Sequence, residues 1–141
     1  MTYALSWPLQ EAIFELISGD PACSQFFGGR VYDFAQPFGA DAEAGGPYLI
    51  LGDEEARDWS TGTDDGAVHT VRLDVWAPRS SFNEAKRAAG AVSDIMLSGA
   101  ILPTRGQVIN ARFIDAKTRR TENDALRGIQ MRFRIVVEDT L

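Results

Sequence analysis

Ile129, Met131, Phe133, Ile135 and Val137 alternate with Gln130, Arg132 and Arg134, and Glu138 comes next. A period of two is the signature of a β-strand with one dry face and one wet face. Such a strand does not fold alone. It requires partner strands beside it and a second layer over its apolar side. The rest of the chain can therefore be searched for those partners and that layer.

The partners are legible. Val71, Leu73 and Val75 alternate with Thr70, Arg72 and Asp74 inside a strand expected from Ala67 to Ala77. Pro47 to Gly52 opens a strand that can run on to about Trp59, and Ser60 to Gly66 (STGTDDG) is turn chemistry. Together they predict a long hairpin whose polar distal half projects from the body. Gln107 to Thr118 reads as a further strand with Ile109, Ala111 and Phe113 on one side, joined to the last strand through Thr121-Glu122-Asn123-Asp124. Gly28-Gly29-Arg30-Val31-Tyr32-Asp33 reads as a turn and a short strand, and Phe34 to Gly46 as a long Ala/Gly/Asp-rich loop.

The covering layer comes from two helical patterns. Leu9, Ala12, Ile13, Leu16 and Ile17 recur at helical spacing, with Ser6 as N-cap and Pro8 in the first turn. Gly19-Asp20-Pro21 stops that helix, and Ala22 to Phe27 forms another short turn. Phe82, Ala85, Ala89, Val92 and Met96 mark the second helix, with Ser81 and Glu84 as a capping box and Gly99 at its end. The expected fold class is α+β, with a mostly antiparallel sheet of two hairpins plus a short strand and two helices packed on one face. At 141 residues and 45% hydrophobic, the chain suits one domain with a real core.

Charge narrows the function classes. The net charge is −6, but residues 1–104 carry 15 acids and 6 bases while residues 105–141 carry 5 acids and 8 bases. An acidic chain is a poor match for phosphate-driven nucleic-acid binding. One acidic and one basic region suit protein contacts, including head-to-tail contacts between copies. No run approaches 18 apolar residues, so no membrane partner is expected. The N-terminal stretch has no basic leader region and contains Glu11 and Glu15, which does not read as a signal peptide. A lone Cys23 fits folding in the bacterial cytoplasm without a disulfide.

No residue set rises to a catalytic motif. His69, the only histidine, lies in phase with Val71, Leu73 and Val75 and reads as a structural strand residue. Asp53, Glu54 and Glu55 with Asp58, Asp64 and Asp65 form the densest acidic group. Consecutive strand residues point to alternate faces, so a solvated hairpin tip is favoured over a metal site or a small metal-dependent hydrolase. Gly28-Gly29 and Gly45-Gly46 match no phosphate-loop pattern. Neither a metal nor a cofactor is expected. Lys117, Arg119, Arg120, Arg127, Arg132 and Arg134 concentrate base on the last hairpin and read as an intersubunit ion-pair surface, with Phe113 and Phe133 as core. Trp7 is expected to pack beneath the first helix. Trp59, between Asp58 and Ser60 and close to Arg57, reads either as an interface anchor or as a ring folded back on its own hairpin.

Taken together, YALSWPLQEAIFELI, GGRVYDF, PYLILGDEEARDWST, HTVRLDVWAP with FNEAKRAAGAVSDIM, and VINARFIDAKTRR with LRGIQMRFRIVVED resemble a family of small structural proteins. These are the tail-completion, or tail-terminator, proteins of long-tailed bacteriophages and of alphaproteobacterial gene transfer agents. The resemblance covers nearly the whole chain and carries no catalytic motif. It implies an α+β subunit of a homo-hexameric ring on the head-proximal end of the tail tube. Such a ring stops tube polymerisation, docks the head stopper protein and lets DNA pass through its lumen without specific binding. After assembly in the cytoplasm, the protein would sit in the neck of the particle. Another head–tail connector or minor tail protein is the alternative. Charge and polarity make Asp53, Glu54, Glu55, Arg57, Asp58, Trp59, Asp64 and Asp65, with Phe34 and Phe38 of the long loop, candidates for axial contacts. They make Arg119, Arg120, Arg127, Arg132 and Arg134 candidates for subunit pairing.

Overall fold

The computed structural model describes residues 2–33 and 46–141. Helix α1 spans Ser6–Gly19 and α2 spans Pro21–Phe27. The two-residue strand β1 (Val31–Tyr32) precedes the long strands β2 (Tyr48–Asp58) and β3 (Gly66–Pro78). A 3-10 turn at Arg79–Ser81 leads into α3 (Phe82–Met96), and β4 (Gln107–Arg120) and β5 (Leu126–Glu138) complete the chain. The strands form one sheet in the order β1-β2-β3-β5-β4. Every neighbouring pair is antiparallel except β1 with β2. The α+β class read from the sequence is the class the chain adopts, with three helices on the covered face rather than two.

The extra helix arises at Asp20. Its backbone is extended, which ends α1, while its Oδ2 accepts the Cys23 N–H at 3.1 Å and Pro21 supplies the first helical turn. The segment expected to be a turn is thus a capped helix. It ends at Gly28, whose φ of 55° is the left-handed conformation that glycine adopts without a Cβ clash. Two other expected caps are absent. The N-cap position of α1 is Leu5, already helical and buried, and Ser6 lies inside the first turn. The Ser6 hydroxyl donates to Glu54 Oε1 at 2.8 Å instead. Ser81 precedes α3 but makes no capping bond, so no capping box forms there.

One core fills the space between helices and sheet. Leu9, Ile13 and Ile17 of α1, Cys23 and Phe27 of α2, and Ala85, Ala88, Val92 and Met96 of α3 pack on Leu49, Leu73, Val75, Met131, Phe133 and Ile135. The small residues of α3 let that helix sit close to β3 and β5. A second cluster occupies the opposite face of the sheet, where Tyr48, Ile50, Trp76 and Leu126 pack with Tyr32. Gly128 makes room for it: a Cβ there would stand 2.6 Å from the Trp76 ring.

The β2–β3 hairpin does not project as its polarity predicts. β3 is paired to β5 along its whole length, from Gly66 opposite Glu138 to Pro78 opposite Leu126. Only residues 59–65 stand beyond the strands. β2 has an irregularity between Leu51 and Glu54, and β4 has two, between Val108 and Asn110 and between Phe113 and Asp115. Each adds residues to one strand and re-aims the side chains beyond it. Ile109 and Ile114 are the residues added on β4.

Candidate assembly surfaces

The register sorts the charged residues by face. On the face away from the helices, β3 and β5 bring Arg72 opposite Arg132 and Thr70 opposite Arg134, while Arg112 of β4 stands opposite Arg134. Like charges side by side repel unless counterions intervene. Arg72 donates from Nε to Asp74 Oδ1 at 3.1 Å and from Nη1 to Asp53 Oδ2 at 3.4 Å. Arg132 grips Asp115 with two bonds, at 2.9 and 2.6 Å. Burial raises the Asp74 carboxyl above its ordinary range, and the Arg72 charge offsets this only in part. The half-buried Asp115 is held low by its Arg132 bonds.

The strand order keeps the acidic and basic segments side by side, meeting where β3 pairs with β5, and most ion pairs close within one segment. Of the expected subunit-pairing residues, Arg132 serves Asp115 and Arg127 serves Asp124, which also accepts from Arg79. Arg119 donates to Gln130 at 3.1 Å. Arg120 and Arg134, together with Arg112 and Lys117, form no ion pair among the described residues. A further pair, Arg105 with Asp139 at 2.9 Å, ties the start of β4 to the segment after β5, and those bonds push the Asp139 carboxyl down to about 2.

The expected acidic group divides between the two faces. Asp53 and Glu55 point to the uncovered face and are exposed. Glu54 points to the helices, where it is far from a solvated tip. Its Oε1 accepts from the hydroxyls of Ser6 at 2.8 Å and Tyr3 at 3.1 Å, and its Oε2 lies 3.3 Å from Nδ1 of the fully buried His69. The His69 contact is too poorly aligned to count as a hydrogen bond, so neither ring nitrogen has a hydrogen-bond partner. Burial raises the Glu54 carboxyl, but the contacts from His69, Ser6 and Tyr3 outweigh it and hold the group below its ordinary value. Glu54 is therefore a structural link between β2, β3 and the start of α1. No three His, Cys, Asp or Glu side chains are placed to hold a metal among the described residues.

At the hairpin tip, Ser60 Oγ lies 2.6 Å from Asp58 Oδ1 and 2.5 Å from Asp65 Oδ1, and its bonds lower both carboxyls. Asp64 and Arg57 are exposed there. Trp59 is 40% exposed, and its ring rests against Gly66 of its own hairpin. Phe34 and Phe38 lie outside the described residues.

Two exposed apolar features escape a reading of the sequence. Trp7 does not lie beneath α1: it is 60% exposed, and Phe14, seven residues on, shares its outward face. The seven-residue spacing of Trp7 and Phe14, out of phase with Leu9, Ile13 and Ile17, is the available signal. Between these aromatics lies a cleft of about 290 Å³ lined by Trp7, Gln10, Glu11, Phe14, Glu15 and Asp33. The second feature is β4. Phe113, expected in the core, is 45% exposed and touches Phe133 edge-on with centroids 5.7 Å apart. Ile109 and Ile114 are also exposed. The irregularity at Ile109 breaks its phase with Ala111, so Val108, Ala111 and Phe113 face the helix side instead.

Residues 11–138 match the family model described as tail completion protein gp17. The chain is also 34% identical to a chain in the structure titled "Virion of native gene transfer agent (GTA) particle", covering 97% of this chain and 99% of that one with a TM-score of 0.85. No curated protein sequence matches it.

Proposed function

The chain belongs to the tail completion protein gp17 family, and from that premise we propose that it terminates the tail tube of a phage-like particle as a ring of identical copies. Membership of that family makes it a tail structural protein, and the end-to-end likeness to a virion chain carries the reading. The ring, which we take as hexameric, sits on the head-proximal end of the tube. There it blocks further tube growth and offers the head stopper protein its docking surface.

The physical task is one of geometry. A tube subunit adds through a heterologous contact that would otherwise repeat without limit. A terminator ends the series by presenting one tube-compatible face and one different face. The exposed hairpin tip, with Asp58, Trp59, Asp64 and Asp65, supplies a distinct acidic surface for an axial contact, flanked by Asp53, Glu55 and Arg57. Arg119, Arg120 and Arg134 remain for contacts between subunits, because Arg127 and Arg132 are engaged within their own chain. The net negative charge lets DNA pass a lumen without adhering. The chain performs no covalent step in this reading. It assembles in the cytoplasm and stays in the particle neck.

Deleting the gene in a producing cell tests this. Electron microscopy of the lysate should show unattached heads and tails of uncontrolled length. Tails of normal length would assign the chain to another head–tail connector and overturn the proposal.

A further inference from the structure

We infer that the cleft on the outer face of α1 receives the β4 edge of a second copy of this chain. The inference rests on the ring reading above and names the surfaces that would close such a ring.

The cleft has a specific chemistry. Trp7 and Phe14 give it exposed aromatic walls, and Glu11, Glu15 and Asp33 give it a carboxylate rim. None of the three carboxylates has a basic partner among the described residues. The intervening sequence 34–45 contains no Lys or Arg either. Aromatic faces beside unpaired carboxylates favour a cation on an apolar carrier, and a guanidinium stacked on an indole above all.

The same chain displays the complement. β4 exposes Ile109, Phe113 and Ile114, with Arg112 and Lys117 among them and Arg120 at the end of the strand. None of these three bases forms an ion pair among the described residues, although the Lys117 charge helps to lower Asp115. Within one subunit no ion pair joins the two surfaces among the described residues. Asp33 comes directly after β1, which is one edge of the sheet, and β4 is the other. Two different, complementary patches define a heterologous, head-to-tail contact, which is what a closed ring requires. The two irregularities in β4 interrupt its outer hydrogen-bonding edge, so side chains rather than plain strand addition carry the contact.

The test reverses charge on each surface of the full-length chain. One variant carries Glu11→Arg with Glu15→Arg, and the other carries Arg112→Glu with Lys117→Glu. Sedimentation velocity should show assembly in the wild type and association weakened by at least about a hundredfold in either variant, since like charges then face each other. An equimolar mixture should regain assembly, because each reversed surface meets the other variant's reversed surface and each native surface meets a native one. Circular dichroism melts check folding. The milder Glu11→Gln with Glu15→Gln pair should weaken association by about tenfold if the arginine variant fails to fold. Variants that assemble as the wild type does, or a mixture that stays dissociated, overturn this contact and leave the ring reading standing. Variants that assemble normally but fail to enter particles place a different protein in the cleft and overturn the second-copy assignment. A wild-type chain that is monomeric at every concentration overturns the ring reading together with this contact.

Discussion

Ile129, Met131, Phe133, Ile135 and Val137 of β5 are all less than a tenth exposed, whereas Ile109, Phe113 and Ile114 of β4, the arm hydrogen-bonded to it, are each more than 40% exposed. The two strands belong to one hairpin and differ by one residue in length. The difference lies in what covers them. A helix about 10 Å across shields roughly two strands spaced about 4.8 Å apart. The three helices pack on β1, β2, β3 and β5, and β4 lies at their margin, where Val108 and Ala111 are only partly buried against the core. Phe113 and Phe133 touch across this boundary, so they compare the two environments directly. Phe133→Ala should cost about 3–5 kcal/mol by denaturant unfolding, the range for emptying a packed aromatic site. Phe113→Ala should cost about 1 kcal/mol or less, because much of that ring already meets water. Equal losses would show that β4 is as much a part of the core as β5.

Gly128 sharpens the comparison from the other face of the sheet. It lies on β5 opposite Trp76, and the indole fills the space where its side chain would be. Gly128→Ala would put a methyl 2.6 Å from fixed ring atoms of a buried tryptophan. We expect a loss of about 1–3 kcal/mol, the usual cost of overpacking, and a changed tryptophan emission spectrum. The same change at Gly90, exposed on α3 with nothing within 4 Å of its added Cβ, should be stabilising by about 0.5–1 kcal/mol. A neutral Gly128→Ala would mean that the small cluster around Trp76 yields easily and does not hold β5 in place.

These environments explain which parts of the fold are legible in advance. Alternation on β3 and β5 reports a dry face directly, and both strands are buried where the pattern says so. The helical phase of Leu9, Ile13 and Ile17 is equally local. The features that a sequence hides are non-local or depend on a single dihedral. A strand's pattern does not say whether helices extend over it, so Phe113 reads as core when it is half in water. One added residue at Ile109 reverses a phase that the sequence shows as continuous. The polar half of the β2–β3 hairpin reads as a projection because nothing local reveals that β5 runs beside it. Charge segregation along the chain is real, but each segment closes ion pairs of its own, Arg72 with Asp53 and Asp74, and Arg132 with Asp115. The outward aromatics of α1 are visible only as a spacing, and the stronger apolar phase of the same helix masks them.

A pH-dependent effect concerns Glu54, where the covered face reaches the acidic hairpin. Its neighbours Asp53 and Glu55 point to water, but its own carboxylate accepts two hydroxyls and lies against a buried imidazole. Its folded value is held below the ordinary 4.5. A carboxyl lowered by folding contributes stability above its unfolded value and loses it as pH falls through the folded value. Glu54→Gln keeps one oxygen to accept from Ser6 and Tyr3, removes the charge and replaces the oxygen facing His69 by an amide NH2. It should be less stable than the wild type by about 1 kcal/mol at neutral pH, the usual difference between charged and neutral acceptors. The gap should close in acid, once the wild-type carboxylate is itself protonated. Urea midpoints of the two proteins at neutral pH and well below the carboxylate range measure it. A gap of the same size at both pH values would mean that the side chain acts through shape alone, and that its charge adds no more on the covered face than that of Glu55 does outside it.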